Sequence, residues 1–231
     1  MKPLFSFVIP TLNEGKYIED CLKSIQKQDR KDHEIIVVDS YSRDRTVQIA
    51  RKYSARVLFE KRKGPGIARN TGAKHAKGKI IIFADADVRF ERGFLDKIEK
   101  KFSHDIGGCI FFLEIYDAKN TLQKYSYYFA NYIACFLMSI GITMTAGSCF
   151  AYRKQVFNKA GGFNIEFMTN EDHDLAGRAG KIKKFAFFRD IVVYTSSRRV
   201  VKLGVLRSTK LYAKSTLVYF LNHGHLRNYW D

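Results

Sequence analysis

Two carboxylates, Asp85 and Asp87, stand one alanine apart at the end of an apolar run, IIIFADADVRF (Ile80 to Phe90). Like charges this close repel unless a cation neutralises them, and oxygen-only ligands suit Mg²⁺ or Mn²⁺, which also take up substrate phosphates. If the strand continues through both acids, their side chains share a face. The alternative is a solvated turn whose acids pair with Arg89 or Arg92. A second acidic pair, Glu171 and Asp172 in MTNEDHDLAGR, opens a helical pattern for which Asn170 is a candidate cap. A carboxylate there can serve as the general base for an attacking hydroxyl, or can simply complement the helix dipole. Asp174 and His173 read as supporting residues.

The elements that must position these acids are short apolar strands alternating with helical patterns. The spacing predicts strands over residues 4–9, 34–38, 56–59 and 79–84, with helices near residues 17–25, 46–53 and 67–76 between them. Asp44 is a candidate cap for the second helix. Strands this apolar argue for a mostly parallel central sheet with helices on both faces, an α/β fold in which ligands bind beyond the carboxyl ends of the strands. The polar clusters fall on that rim: Thr11, Asn13 and Glu14 after the first strand, Asp39 after the second, Asp85 and Asp87 after the fourth. Just upstream, GPGIARNTG places Arg69 and Asn70 in the first turns of a helix, where an arginine can bind phosphate or pin a nearby acid.

Composition adds limits. The 231 residues are 46% apolar, enough for one large domain, and 40 Lys and Arg against 23 Asp and Glu give a net charge of +17. The excess is concentrated from Arg178 onward and implies an anionic partner such as phosphate, nucleic acid or a lipid surface. Cys21, Cys109, Cys135 and Cys149 form no CxxC pair and read as free thiols of a reducing compartment. The apolar run after Met1 is too short for a signal peptide. Residues 125–152 carry no charge, but Ser126, Asn131, Ser139 and Gly141 dilute the stretch, which reads as a core or interfacial helix and not a spanning one. Arg198 and Arg199 follow a predicted strand over 191–194, and Lys202, Arg207, Lys210 and Lys214 lie among Leu and Val as on a basic helix resting on anionic lipid. His223 and His225 near the end read as polar surface.

FSFVIPTLNEGKYIEDCLKSI, IIVVDSYSRDRT, GPGIARNTG, IIIFADAD and NEDHDLAGR resemble the ordered motif series of the family 2 glycosyltransferases. The resemblance runs from about Phe5 to about Arg178. It implies the glycosyltransferase A fold as a single domain over 1–200, with a nucleotide-sugar half (1–102), an acceptor half (103–200) and a basic helical tail (201–231). It implies an inverting, metal-dependent transfer from a UDP- or GDP-sugar to an acceptor hydroxyl, on a glycan or lipid-linked acceptor. Pro10, Thr11, Asn13, Glu14, Asp39, Arg69, Asn70, Asp85 and Arg199 would bind the nucleotide sugar, Asp85 and Asp87 the Mg²⁺ or Mn²⁺. Asp172 is the preferred base, with Glu171 beside it. Ser40 and Tyr41 depart from the pattern, standing where many relatives have a second acid and a glycine. A cytoplasmic location, peripheral on the inner face of a membrane, goes with these donors. Three other readings stay open: a polyprenyl phosphate acceptor, which needs no base; a phosphatase of the haloacid-dehalogenase type, with Asp85 as nucleophile; and a basic nucleic-acid-binding module, which the ordered acids argue against.

Overall fold

The computed structural model describes residues 2–145, 147–167 and 169–222, without the side chains of 220–222. His223 and His225 lie outside the described residues. In chain order the elements are β1 (Phe5–Thr11), α1 (Ile18–Gln26), β2 (His33–Asp39), α2 (Thr46–Lys52), β3 (Arg56–Phe59), α3 (Pro65–His75), β4 (Ile80–Ala84), β5 (Arg89–Phe90) and α4 (Phe94–Lys101). They continue with β6 (Ile106–Ile115), α5 (Thr121–Ser139), β7 (Cys149–Arg153), α6 (Lys154–Lys159), α7 (Glu171–Gly180), β8 (Lys184–Thr195), α8 (Arg198–Leu203) and α9 (Val205–Asn222).

One eight-stranded sheet carries both halves of the chain, in the order β3-β2-β1-β4-β7-β6-β8-β5. The first four strands in that order are parallel; β1, β2 and β4 are apolar because helices cover both faces, whereas β3 at the edge is only half-buried. β7 runs antiparallel to both β4 and β6, and β8 returns parallel to β6. One core layer packs Ile18, Leu22 and Ile25 of α1 with Phe94, Leu95 and Ile98 of α4 against the sheet. The other packs Ala68 and Ala73 of α3 and Leu175 and Ala179 of α7 around Phe83, Phe150 and Tyr152. The tail boundary drawn at residue 201 falls inside α8.

Local chemistry explains where elements stop. Asp44 supplies a cap bond to α2, as expected, but from one residue before the cap position, which Arg45 occupies: its carboxylate accepts from the Thr46 N–H at 3.0 Å. The uncharged 125–152 stretch is not one helix; α5 ends at Ser139, and β7 begins at Cys149. No helix among the described residues is long and apolar enough to cross a membrane.

The seat of α3 on the sheet depends on Gly72. A methyl group there would run into the Val8 side chain and lie 3.1 Å from Val38 Cγ2, in the buried layer between α3, β1 and β2. Gly72→Ala is therefore expected to destabilise the protein by about 1–3 kcal/mol despite its better helix propensity, because overcrowding a packed interior outweighs that gain. Chemical denaturation of the variant beside wild type checks this.

Candidate active site

The parallel strands deliver their polar ends to one rim. Thr11 and Asp39 are register partners at the ends of β1 and β2, and the Thr11 hydroxyl donates to Asp39 Oδ2 at 2.9 Å. Asp39 is fully buried and also accepts from the Ser42 N–H at 2.8 Å and the Ser42 hydroxyl at 2.5 Å. Asn13 has a left-handed backbone, φ 55°, and cross-links the same loop by donating its N–H to Ser42 Oγ and accepting from the Arg43 N–H. Tyr41 also takes a positive φ, 61°, which explains why a glycine suits this position; its exposed ring leans on Phe59 at 5.5 Å between centroids. Pro10 precedes this loop, half-buried.

Asp85 and Asp87 do not lie on a continuing strand. β4 ends at Ala84; the Asp85 N–H still pairs with the Ser148 carbonyl, and the Val88 N–H then bonds back to the Asp85 carbonyl at 3.1 Å, closing a turn. Ala86 and Val88 anchor that turn in the core, so the chain can cross to β5 at the far edge of the sheet.

Arg69 reaches both acidic motifs. Its guanidinium donates to Asp85 Oδ1 at 2.9 Å and to Glu171 Oε1 at 2.8 Å, and lies over the rings of Phe150 and Phe163. Its side chain is only 5% exposed, so it pins acids and does not lie open to a phosphate. Asn70, expected beside it at the donor, instead clamps the loop before α7: its amide donates to the Phe163 carbonyl at 2.8 Å and accepts from the Phe163 N–H at 2.9 Å.

The second cation at the site comes from the adjacent pair Arg198 and Arg199 on α8. Arg198, not Arg199, faces the acids: it grips Glu14 with two bonds of 2.6 and 3.0 Å, pairs with Asp87 Oδ2 at 2.7 Å, and lies over the Tyr17 ring. Arg199 sits on α8 with Tyr212 Oη at 3.5 Å. The two arginines are adjacent, and only the phase of α8 after Ser197 decides which one turns inward.

α7 starts at Glu171 with Asn170 in the cap position, in a left-handed conformation (φ 62°) that asparagine tolerates. Its side chain does not cap the helix. The Asn170 amide donates to the Ser215 carbonyl and accepts from the Ser215 hydroxyl, fastening α7 to α9. Asp172 accepts from the His173 N–H at 2.9 Å, and Asp174 pairs with Arg178.

The site is overdrawn in negative charge: Glu14, Asp85, Asp87, Glu171 and Asp172 face two guanidinium groups, Arg69 and Arg198. Burial first, then the Asp85 charge, pushes the Asp87 carboxyl up to about 7 even against Arg198. Burial and the adjacent Asp172 raise Glu171 to about 7, although it pairs with Arg69. Arg69 is itself driven above its ordinary value, its three acidic neighbours outweighing burial. Both directions follow from one charge shared among three acids. Burial also acts to raise Asp172, but His173, the Thr145 hydroxyl and Arg69 outweigh it and hold that carboxyl below the usual range. Among the described residues no cluster of three His, Cys, Asp or Glu gathers as for a closed metal cage. Two carboxylates in charge excess fit Mg²⁺ or Mn²⁺, which complete their shell with water and phosphate.

A parallel α/β half whose strand ends carry acids and a helix-borne arginine defines a nucleotide-binding class of fold. The chain belongs to glycosyl transferase family 2, whose model matches residues 6–161. It is 40% identical over 91 residues to the poly(ribitol-phosphate) beta-N-acetylglucosaminyltransferase TarS of Staphylococcus aureus, over 36% of this chain and 16% of that protein. It is 34% identical over 119 residues to a GalNAc(5)-diNAcBac-PP-undecaprenol beta-1,3-glucosyltransferase of Campylobacter jejuni, over 47% of this chain and 38% of that one. The matched parts are thus well under half of these relatives' own lengths. Among solved structures, TarS 1-349 with UDP-GlcNAc superposes with TM-score 0.69 at 24% identity, over 85% of this chain and 58% of that one. The mannosyltransferase PcManGT of Pyrobaculum calidifontis, in complex with GDP-Man and Mn²⁺, superposes with TM-score 0.71 at 24% identity, over 94% and 63% of the two chains. These structures share the glycosyltransferase A fold. Family membership displaces the phosphatase and nucleic-acid readings.

Glu171 makes the site legible by titration. From pH 4.5 to about 7 the folded protein keeps a proton on Glu171 that the unfolded chain has released, so this group's contribution to stability falls as pH rises through that window. Glu171→Gln removes this group's share of the titration and leaves that of Asp87. Thermal melts from pH 4.5 to 7.5 should therefore show a flatter dependence for the variant than for wild type, and parallel curves would contradict the raised pKa.

Proposed function

We propose that this chain transfers a sugar from a UDP- or GDP-sugar to the hydroxyl of a glycan or lipid-linked acceptor, with inversion at the anomeric carbon, on the cytoplasmic side of a membrane. One observation carries the reading: the buried Arg69 guanidinium joins Asp85 at the donor rim to Glu171 beside Asp172, so donor-side and acceptor-side acids form one site.

In this reading Thr11, Asn13 and Glu14 frame the nucleoside, with Asp39 holding the Thr11 and Ser42 edge beneath it. Asp85 and Asp87 hold Mg²⁺ or Mn²⁺, which when bound would stabilise charge on the departing diphosphate. Arg198, already at Glu14 and Asp87, is within the cluster to turn its donors to the same diphosphate. Arg69 holds Asp85 and Glu171 in place. Asp172 is the base: it is held below the usual carboxylate range and so is ionised at neutral pH. As the acceptor oxygen bonds the anomeric carbon, the bond from that carbon to the diphosphate oxygen breaks, and the hydroxyl proton passes to Asp172. Glu171, committed to Arg69, is a positioning residue. A polyprenyl phosphate acceptor, already ionised, would leave Asp172 without this role.

Titration calorimetry of UDP and GDP, each with and without Mn²⁺, tests the donor site. One nucleotide should bind in a manner that needs both Mn²⁺ and Asp87, with Asp87→Asn abolishing the metal-dependent part; no binding of either nucleotide under any condition overturns the proposal. For the base, Asp172→Asn is expected to retain nucleotide affinity and lose turnover by about 10² to 10⁴-fold, the usual worth of a positioned proton acceptor. Undiminished turnover would remove Asp172 from the mechanism.

A further inference from the structure

α5 turns an apolar stripe to solvent. Leu122, Tyr125, Phe129, Tyr132, Ile133 and Phe136 recur every three or four residues on one stripe, and all are exposed, Phe129 and Phe136 by 65% and 64%. The inward side carries the buried polar residues Gln123 and Asn131. Gln123 Oε1 accepts from the Lys119 N–H, and buried Asn131 pairs with both the N–H and the carbonyl of Leu113 on β6. Ala134 with Leu137, Met138 and Tyr127 packs the same side of the helix on the core, so α5 is fixed to β6 by Asn131 and by these apolar contacts and turns its aromatic stripe outward. A stripe this continuous marks a surface that meets an apolar phase.

α9 packs against α5 and supplies the charge. Leu206 and Leu217 are exposed on it, with Arg207, Lys210 and Lys214 exposed around them, and residues 196–222 contain no Asp or Glu. An apolar stripe beside an acid-free basic helix fits an anionic bilayer surface: aromatic bodies enter the headgroup boundary while Lys and Arg stay at the phosphates. A second copy of the chain fits poorly, because apposing this face to itself would bring two basic α9 helices together in a protein of net charge +17. We propose that the α5 stripe and the basic face of α9 together seat this protein on an anionic lipid surface, α5 lying in the plane of the interface. This surface is separate from the acids of the active site and stands independently of the transfer reaction.

Flotation of the purified 231-residue chain with vesicles of phosphatidylcholine alone, or of equal parts phosphatidylcholine and phosphatidylglycerol, tests it. Wild type should float with the anionic vesicles and stay behind with the zwitterionic ones. The Phe129→Ser/Phe136→Ser double variant should lose flotation with an unchanged circular dichroism spectrum, since both rings are exposed. Lys210→Ala/Lys214→Ala should weaken binding by at least about tenfold, with a smaller dependence on salt. The proposal is overturned if wild type fails to float with anionic vesicles, or if the phenylalanine variant floats as wild type does. It is also overturned if light scattering shows a dimer that the phenylalanine variant dissolves, which would assign the stripe to a second copy.

Discussion

A buried arginine shared by two acids from distant parts of the chain holds the site together. Arg69 comes from α3, Asp85 from the end of β4 and Glu171 from the start of α7, and the two acids reach it from 16 and 102 residues away. A guanidinium taken out of water is costly unless its donors find charged acceptors in good geometry. Its bonds to Asp85 and Glu171 supply such acceptors for the two terminal nitrogens and the Phe150 and Phe163 rings cover its faces, while Arg69 Nε stays buried with no hydrogen-bond partner among the described residues. The arrangement constrains everything nearby: α3 must sit close enough for Arg69 to reach, hence the glycine at 72, and the Phe163 loop must be clamped in place, hence Asn70.

The acids around this centre behave differently because they share too little positive charge. Asp172 keeps its ionised form through local donors, whereas Glu171 and Asp87 are pushed toward protonation by burial and by their acidic neighbours. Acids of opposite tendency within one cleft are the usual setting for proton transfer and cation binding. The same contrast separates the two arginines of the site, one locked in the interior and one approaching from the surface on a short helix.

The parallel half of the fold was legible in the sequence because its signals are local. The run Arg56 to Phe59 matches β3 as observed, and the apolar stretches before Asp39 and Asp85 end where β2 and β4 end, since a buried strand needs apolar side chains on both faces. Long-range partnerships left no local trace. Nothing near Arg69 points to Glu171, and nothing in the pair Arg198-Arg199 tells which one turns inward, because that depends on where α8 begins. Asn70, read as a donor-binding residue, holds Phe163, and Asn170, read as a helix cap, holds Ser215 instead, partners that are set by tertiary packing. The uncharged stretch from Tyr125 reads as one helix but holds α5 only to Ser139 and then β7 from Cys149; of the polar residues that dilute it, Asn131 is buried against Leu113 of β6 while Ser139 is exposed.

Arg198 gives the donor rim a counter-ion of its own. With the Arg198 guanidinium against them, neither Glu14 nor Asp87 stands bare at the rim. Any cation that binds Asp87 therefore does so by exchange, and its apparent affinity measures a difference between two pairings and not the strength of one. A diphosphate offers the displaced arginine a new anion, so cation and nucleotide would each make room for the other, and by linkage each tightens the other's binding by the same factor. A rim built this way would hold a metal weakly when empty and firmly only when a donor is present.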